Sequence, residues 1–209
     1  MKKPCLYILC GFPFAGKTTL ARALIGALGI KRVAIDDINA ERGVWDDERG
    51  LSAEEWTKTY NEAYRRIDAF LSQGESVIDD SVNFTRELRD RLHAIAQRRD
   101  ACTIVIYVDV SLSEAQRRWQ ENRQTAVRAD VRDDDFAHVL EHFEPPTEDE
   151  QMLRYDGILP VEEWIGLTFF HQTPDANHEI PSHTAVYSAT INDSNATLLR
   201  VERNTTDNI

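Results

Sequence analysis

The pattern of apolar and polar positions predicts short buried strands separated by amphipathic helices. Residues 4–10, PCLYILC, form a continuous apolar run that is typical of a central parallel strand covered on both faces. The runs in KRVAIDD, ESVIDDSVN and ACTIVIYVDV predict three more strands, and YDGILP predicts a short fifth one. Between them, apolar residues recur at helical spacing, most clearly over residues 51–74, where Trp56, Tyr60 and Ile67 share one face.

Local sequence signals mark the ends of these helices. Ser52 followed by Glu55 matches a capping box, and Gly74 suits the C-terminal end of the same helix. Ser113 followed by Gln116 predicts a second capping box at the start of SEAQRRWQENR. The polar stretch QTAVRADVRDDD then predicts a mobile segment ahead of the helix in DDFAHVLEHF.

Strands and helices alternate as far as residue 165, and the pattern then changes. The alternation predicts an α/β fold with a five-stranded parallel sheet flanked by helices. We therefore assign residues 1–165 to one domain and residues 166–209 to a C-terminal appendage, where helical periodicity is absent. The appendage is expected to be either a hairpin around DSN or a loosely ordered tail.

Composition and charge narrow the class of partner. The chain has 209 residues, with 36 acidic and 24 basic side chains and a formal net charge of −12. This balance argues against a nucleic-acid partner and favours a small-molecule acceptor. No apolar run approaches the roughly 18 residues that cross a bilayer, so no membrane association is expected. Three cysteines, Cys5, Cys10 and Cys102, lie in apolar runs. Their odd number and their positions predict reduced thiols in a cytoplasmic protein. The oligomeric state stays open.

The segment GFPFAGKT fits the phosphate-loop pattern G-x-x-x-x-G-K-[ST]. It follows a buried strand and opens a helix, so its amide groups and the helix N-terminus can hold phosphate oxygens. The predicted nucleotide-binding residues are Gly11, Phe12, Pro13, Phe14, Ala15, Gly16, Lys17, Thr18 and Thr19. ATP is the expected nucleotide because the chain has no Asn/Thr-Lys-x-Asp segment for a guanine base, and the hydroxyl of Thr18 is expected to bind Mg²⁺.

Two acidic pairs follow predicted strands. Asp36 and Asp37 come after RVAI, and Asp79 and Asp80 come after SVI. Ligands of open α/β sheets bind at the carboxyl ends of strands, where a carboxylate can accept a proton from a hydroxyl or bind Mg²⁺. We predict Asp36 as a catalytic carboxylate, Asp79 as a metal residue with Thr18, and Asp37 and Asp80 as acceptor contacts. Aspartates at strand ends also cap the segments that follow them.

Arginines cluster after the fourth strand and predict a lid over the phosphates. The cluster comprises Arg117, Arg118, Arg123, Arg128 and Arg132. Arginine suits this task because its guanidinium presents a fixed fork of donors. We assign catalytic roles to Arg123 and Arg128 together with Lys17. The alternative is a solvated helix face whose arginines pair with neighbouring acids.

The segments GFPFAGKTTLA, VAIDDI, VIDDSVNFTRELRDRL and RRWQENR together resemble the AAA-domain predicted kinases of the P-loop superfamily. That family is similar to the kinase domain of polynucleotide kinase and, more distantly, to zeta-toxin, gluconate kinase and chloramphenicol phosphotransferase. The resemblance implies a three-layer P-loop kinase fold with sheet order 2-3-1-4-5, and transfer of the γ-phosphate of ATP with Mg²⁺. By position it implies a general base at Asp36, an acceptor segment from Asp79 to Asn83, and lid arginines at Arg123 and Arg128.

Three functions stay open at this point. The first is a kinase that phosphorylates a hydroxyl of a small acceptor, and the second is a polynucleotide 5′-hydroxyl kinase. The third is a nucleotide-binding ATPase or signalling module that has no acceptor. Trp45 and Trp56 are candidates for the walls of an acceptor site, although the helical spacing of Trp56 also favours core packing.

Overall fold

The computed structural model describes residues 3–44 and 50–170 and the two strand segments 187–192 and 195–200. The chain divides into two compact units, Met1–Leu159 and Pro160–Ile209. Five described strands of the first unit form one sheet: β1 (Cys5–Cys10), β2 (Lys31–Ala34), β3 (Val77–Asp80), β4 (Cys102–Val108) and β5 (Met152–Tyr155).

The sheet is parallel, with the strand order β2-β3-β1-β4-β5. This order and the parallel pairing confirm the predicted fold class. Ile8 of β1 is in register with Asp79 of β3, and Ala34 of β2 is in register with Asp80. Because parallel strands end at a common edge, the residues that follow β1, β2 and β3 are brought together there.

Six helices of the first unit flank this sheet: α1 (Lys17–Leu28), α2 (Ile35–Arg42), α3 (Ala53–Ser72), α4 (Arg86–Arg98), α5 (Leu112–Thr125) and α6 (Asp133–Glu141). Ser52 caps α3 as its sequence predicts, since its hydroxyl accepts a hydrogen bond from the Glu55 amide at 3.2 Å. Thr85 caps α4 in the same way, with the Leu88 amide as donor.

Three boundaries differ from the sequence predictions. The cap of α5 is Ser111, whose hydroxyl accepts from the Glu114 amide at 3.3 Å, and not the predicted Ser113. Strand β2 ends at Ala34, so the acids that follow it lie in the first turn of α2, where the helix dipole favours negative charge. Strand β5 begins at Met152, three residues before the predicted start at Tyr155.

Apolar side chains cover the sheet on both faces. On one face, Ile67 and Leu71 of α3 and Leu92 of α4 pack into a core with Leu6 and Ile8 of β1. Every residue of β1 is buried, which explains why its sequence is apolar throughout and does not alternate. Among the described residues, no helix combines the length and the apolar character that crossing a bilayer requires.

The cysteines depart from the prediction of reduced thiols. Cys5 and Cys102 are paired in register on the neighbouring strands β1 and β4, and their sulfur atoms form a disulfide. The prediction is therefore wrong for this pair. Cys10, at the end of β1, is a buried free thiol whose pKa is raised to about 11 by burial.

The described part of the second unit begins with a short helix, α7 (Val161–Ile165), which continues into a π-helical turn at Gly166–Phe170. Two further strands, β6 (Tyr187–Asn192) and β7 (Asn195–Arg200), pair antiparallel around the DSN segment. The division into a domain of residues 1–165 and an appendage of residues 166–209 stays a prediction.

A buried ion pair ties α4 to the segment that precedes β5. The guanidinium of Arg89 is 1% exposed and donates to both carboxylate oxygens of Glu150, at 2.6 and 3.0 Å. It also donates at 3.0 Å to the carbonyl oxygens of Asn83 and Glu144. Because Asn83 follows β3, this network fixes the loop at the carboxyl edge of the sheet.

Removing the Arg89 guanidinium is expected to destabilise the fold strongly. Arg89→Ala leaves the Glu150 carboxylate buried without its counter-charge, which costs about 3–5 kcal/mol. The matched control is Arg65→Ala on α3, whose ion pair with Glu62 is exposed, and its effect should stay within about 0.5 kcal/mol. Urea unfolding at pH 7 measures both values. Equal losses in the two variants would contradict the importance of the buried pair.

Candidate active site

The phosphate-loop segment joins β1 to α1 and turns through backbone conformations that require glycine. Gly11 has a φ of +149° and Gly16 a φ of +108°. A Cβ on Gly11 would lie 2.7 Å from the carbonyl oxygen of Val108, so this position excludes any other residue. Phe14 also has a positive φ, of 62°, which marks strain concentrated in the loop.

Lys17, the first residue of α1, is buried at the floor of this loop. Its ammonium group donates to the carbonyl oxygens of Gly11 at 3.0 Å and Phe12 at 2.7 Å. Burial lowers the pKa of Lys17 to about 8, and the nearby Asp80 carboxylate opposes this shift. The two carbonyls use two of the three ammonium donors, so the third can serve an anion.

Thr18 opens a chain of polar contacts that ends on α2. Its hydroxyl donates to Asp80 at 3.2 Å, and Arg32 of β2 donates to the other oxygen of the same carboxylate at 2.8 Å. Arg32 also pairs with Asp37. The predicted acceptor residues Asp37 and Asp80 therefore have different surroundings. Asp80 lies beside the phosphate loop and lines the cavity described below, whereas Asp37 is half-exposed and does not.

The predicted metal residue Asp79 does not line this cavity. Its buried carboxylate accepts hydrogen bonds from Ser81 at 3.0 Å and Asn83 at 2.7 Å. Asn83 also donates to the Leu9 carbonyl at 2.9 Å, so the amide predicted to contact the acceptor instead joins β3 to β1. Successive strand residues point to opposite faces, which explains why Asp80 and not Asp79 meets Thr18. Burial raises the pKa of Asp79 to about 6.

Asp36 lies in the first turn of α2 and lines the same cavity as Lys17 and Thr18. Partial desolvation by the cavity walls raises the pKa of Asp36, and the positive charge of Arg128 opposes the rise. The structure thus brings the predicted base to the phosphate loop. A carboxylate with a raised pKa is suited to accept a proton.

The two predicted lid arginines are placed differently. Arg128 lines the cavity, and its guanidinium lies 4.3 Å above the ring of Phe14. The side-chain amide of Asn122 holds the backbone of Arg128 through two hydrogen bonds of 3.0 Å, one to the carbonyl and one from the amide. Arg123 lies outside the cavity lining, where it pairs with Asp130 at 2.9 Å.

Arg118 contacts the phosphate loop, although sequence reasoning did not single it out from its cluster. It donates to the Ala15 carbonyl at 3.0 Å, and its Nε donates to Glu114 at 2.8 Å. The sequence contains one indication of this role, because Glu114 and Arg118 are four residues apart on the predicted helix. Side chains at this spacing lie next to each other, so Glu114 can pair with Arg118 and fix its orientation. Phe12, by contrast, packs on Phe143, with ring centroids 4.4 Å apart.

These residues surround a cavity of about 540 Å³ at the carboxyl edge of the sheet. Its floor is the phosphate loop, and its walls come from α2, α3, α4, α6 and the segment that joins α5 to α6. Trp56 lines it and also packs against the core, and its predicted role in an acceptor site stays a prediction. Trp45 lies outside the described residues.

The donor set of this cavity fits a hydrated magnesium ion bound with a nucleotide. Within the described ranges, no group of three or more histidine, cysteine or acidic side chains could enclose a metal ion. Thr18 and Asp80 nevertheless form an adjacent hydroxyl and carboxylate pair beside the loop. Mg²⁺ commonly takes few protein ligands and completes its shell with water and phosphate oxygens.

Comparisons with known structures identify the fold. An APS kinase of Mycobacterium tuberculosis, in complex with AMPPNP and APS, is 13% identical and superposes with a TM-score of 0.59, covering 78% of this chain and 94% of that one. Kti12 of Chaetomium thermophilum, in complex with ADP-AlF3, is 20% identical with a TM-score of 0.61 and coverages of 73% and 89%. A gluconokinase from Sinorhizobium meliloti is 17% identical with a TM-score of 0.55 and coverages of 78% and 88%.

The sequence comparisons identify the family to which the chain belongs. A search of curated protein sequences finds no significant match. The model of the AAA domain family matches residues 6–146, which include the phosphate loop, the acids that follow β2 and end β3, and the arginines from Arg117 to Arg132. This match spans more than half of the chain, and the strand order and the structural neighbours agree with a P-loop kinase fold. The chain therefore belongs to the AAA domain family of P-loop proteins.

Proposed function

We propose that the protein is a phosphotransferase that uses ATP and Mg²⁺ to phosphorylate an alcohol group of a small-molecule acceptor. The observation that carries this proposal is the convergence of Lys17, the Thr18–Asp80 pair, Asp36 and Arg128 on one cavity. A phosphate-binding loop alone would serve any nucleotide-binding protein. A candidate base and a candidate lid cation at the same loop are what phosphoryl transfer to an acceptor additionally needs.

Nucleotide binding is assigned to the loop and the start of α1. The loop amides and the helix N-terminus attract phosphate oxygens, and Lys17 adds a charge-assisted donor to the outer phosphates. Bound Mg²⁺ would neutralise charge on the phosphate oxygens. Thr18 and Asp80 would hold it, directly or through water, so the metal role predicted for Asp79 passes to its neighbour in this proposal.

Asp36 is assigned as the base. It accepts the proton of the acceptor hydroxyl as the hydroxyl oxygen bonds to the γ-phosphorus and the bond from that phosphorus to the β,γ-bridging oxygen breaks, releasing ADP. The raised pKa of Asp36 suits this task, because a more basic carboxylate draws the proton more strongly. Asp36 lies in the first turn of α2, where the helix dipole favours the ionised form of a carboxyl group.

Arg128 is assigned as the cation that stabilises charge on the transferring group. It lines the cavity, and within the described ranges its guanidinium forms no ion pair and rests on the Phe14 ring. Arg123 is already paired with Asp130 and Asp133, so its charge is largely compensated outside the cavity. The amide of Asn122 positions Arg128 by fixing its backbone.

The net charge of −12 supports a small acceptor over a polynucleotide. The likeness to the kinase domain of polynucleotide kinase and to zeta-toxin stays a prediction, as does a cytoplasmic location. Transfer from labelled ATP to oligonucleotides, measured against salt concentration, separates the polynucleotide alternative from a small acceptor. A module that only senses nucleotide would bind ATP and transfer phosphate to nothing.

Lys17→Ala and Asp36→Asn are both expected to reduce transfer strongly, for different reasons. Lys17→Ala removes the phosphate contact and weakens ATP binding as well. Asp36→Asn removes the base and should lower kcat by about 10²–10⁴-fold while ATP affinity stays within about threefold. Phosphate transfer and fluorescent-nucleotide binding measure the two effects.

The pH dependence supplies the control for Asp36. The wild-type rate should fall as the pH drops through the raised pKa of Asp36, because the protonated carboxyl cannot accept a proton. This acidic limb should be absent from the residual activity of Asp36→Asn. Full activity of Asp36→Asn at neutral pH would overturn the assignment of the base.

Asp80→Asn and Asp79→Asn should separate the metal role from a structural one. Asp80→Asn is expected to raise the Mg²⁺ concentration for half-maximal activity about 10–100-fold, since it weakens a ligand beside Thr18. Asp79→Asn should leave the Mg²⁺ dependence unchanged and cost about 1–3 kcal/mol of stability, because two buried hydrogen bonds to the carboxylate are disturbed. The reverse outcome would return the metal role to Asp79.

Arg128→Ala and Arg123→Ala form a second matched pair. Arg128→Ala should lower kcat by about 10²-fold or more, because it removes a donor aimed at developing charge. Arg123→Ala, which breaks an exposed ion pair, should change kcat by less than about threefold. Asn122→Ala should lower kcat without changing ATP affinity, because it frees the Arg128 backbone. Equal losses for both arginine variants would contradict the assignment.

A further inference from the structure

The cavity extends beyond its phosphate-binding end, and its far walls are largely apolar and aromatic. We call this part the acceptor chamber and define it by Trp56, Tyr60, Phe84, Leu88 and Val139. Trp56 and Tyr60 are four residues apart on α3, with ring centroids 6.1 Å apart, and both are half-buried. Two neighbouring rings on one wall of a cavity offer a surface on which a ring of a ligand can stack.

The acceptor chamber lies next to Asp36. The Thr59 hydroxyl of α3 donates to Asn39 of α2, and this bond fixes the two helices against each other. Burial raises the pKa of Tyr60, and the negative charge of Asp36 acts in the same direction, so the two side chains lie within electrostatic reach. Asp36 and Tyr60 line the same cavity, so the acceptor chamber can hold the remainder of a molecule whose hydroxyl contacts Asp36.

Charge in the acceptor chamber disfavours an anion. Two cations line it, Arg91 and Arg132, and both are paired, with Glu87 and, at 3.5 Å, with Asp134. Asp135 also lines the cavity and forms no salt bridge with any described residue. Both arginine pairs are open to solvent and therefore weak. The argument against an anion rests on Asp135, whose carboxylate would repel an acceptor phosphate or carboxylate in the same cavity.

We propose that the acceptor chamber binds an alcohol that carries a flat apolar ring and no negative charge, with the ring stacked on Trp56 and Tyr60. The proposal rests on the proposed function, since it takes Asp36 as the group that contacts the acceptor hydroxyl. It adds the chemical class of the acceptor. Sugar acids and sugar phosphates are excluded by charge, and simple polyols lack the ring that the walls would cover.

Two matched sets of compounds test the proposal with wild-type protein and labelled ATP. The first set is adenosine, ribose and 3′-AMP, and the second is 4-nitrophenyl β-glucoside, methyl β-glucoside and 4-carboxyphenyl β-glucoside, so that the primary hydroxyl is kept throughout each set. Within each set the first compound has the ring without the charge, the second lacks the ring, and the third adds an anion. In at least one set, kcat/KM for the first compound should exceed that of the other two by about tenfold or more.

Variants of the chamber connect this preference to its residues. Trp56→Ala should raise KM for the ring-bearing acceptor about tenfold while KM for ATP changes less than about twofold, and Trp56→Phe should restore most of the affinity. Asp135→Lys should raise kcat/KM for the anionic compound relative to its neutral counterpart about tenfold. Calorimetric titration of each compound into wild-type protein and Trp56→Ala gives a readout that does not need transfer.

The outcomes separate this proposal from the proposed function. Transfer that prefers the ringless or anionic compounds overturns the chamber assignment and leaves the kinase intact. A rise in KM for ATP with Trp56→Ala also overturns it, because the rings would then hold the nucleotide base. Binding of no ring-bearing compound at millimolar concentration overturns it as well. Binding that depends on Trp56, with no Lys17-dependent transfer to any compound, supports the chamber and overturns the kinase.

Discussion

The site depends on one buried cation, the ammonium group of Lys17. Removing a charge from water is unfavourable unless polar groups replace the water, and here the carbonyl oxygens of Gly11 and Phe12 do so. Two carbonyls can reach one ammonium only if the loop curls tightly, which explains the positive φ angles along it. The lowered pKa shows that this solvation is incomplete. Phosphate oxygens would complete it, so the same burial that costs stability makes the loop selective for an anion.

The fold could be predicted from sequence because its central strand, β1, is buried on both faces. Such strands are uniformly apolar, and the intervening helices have a clear amphipathic period, so element types follow from pattern alone. The boundaries were harder to predict because the same residue types end one element and begin the next. Asp36 has the sequence context of a strand end, but it lies in the first turn of a helix. Ser111 and Ser113 have the same side chain, so residue type alone does not show which of them caps α5. The hydrogen-bond geometry that decides between them depends on the whole chain.

The phosphate loop is a local motif, so its position and shape follow from eight consecutive residues. The acids and arginines are different, because their roles depend on which way each side chain points. Asp79 and Asp80 are identical in type, and only the phase of β3 against β1 directs Asp80 toward Thr18. Arg128 and Arg123 are likewise indistinguishable by type. What separates them is the amide of Asn122 and the ring of Phe14, and neither contact has a signature in the sequence.

The net charge and the local charge of the site act over different distances. At physiological ionic strength, exposed charges are screened beyond about 8 Å, so the overall charge of −12 hardly affects a phosphate already in contact with Lys17. The overall negative charge does repel a long polyanion, because such a molecule lies across many acidic surface residues at once. The cavity shows the same contrast locally, since Arg91 is paired with Glu87 while Arg128, beside the loop, forms no ion pair within the described ranges. In the proposed assignment, one cavity thus combines a phosphate-binding end with walls for an acceptor without negative charge.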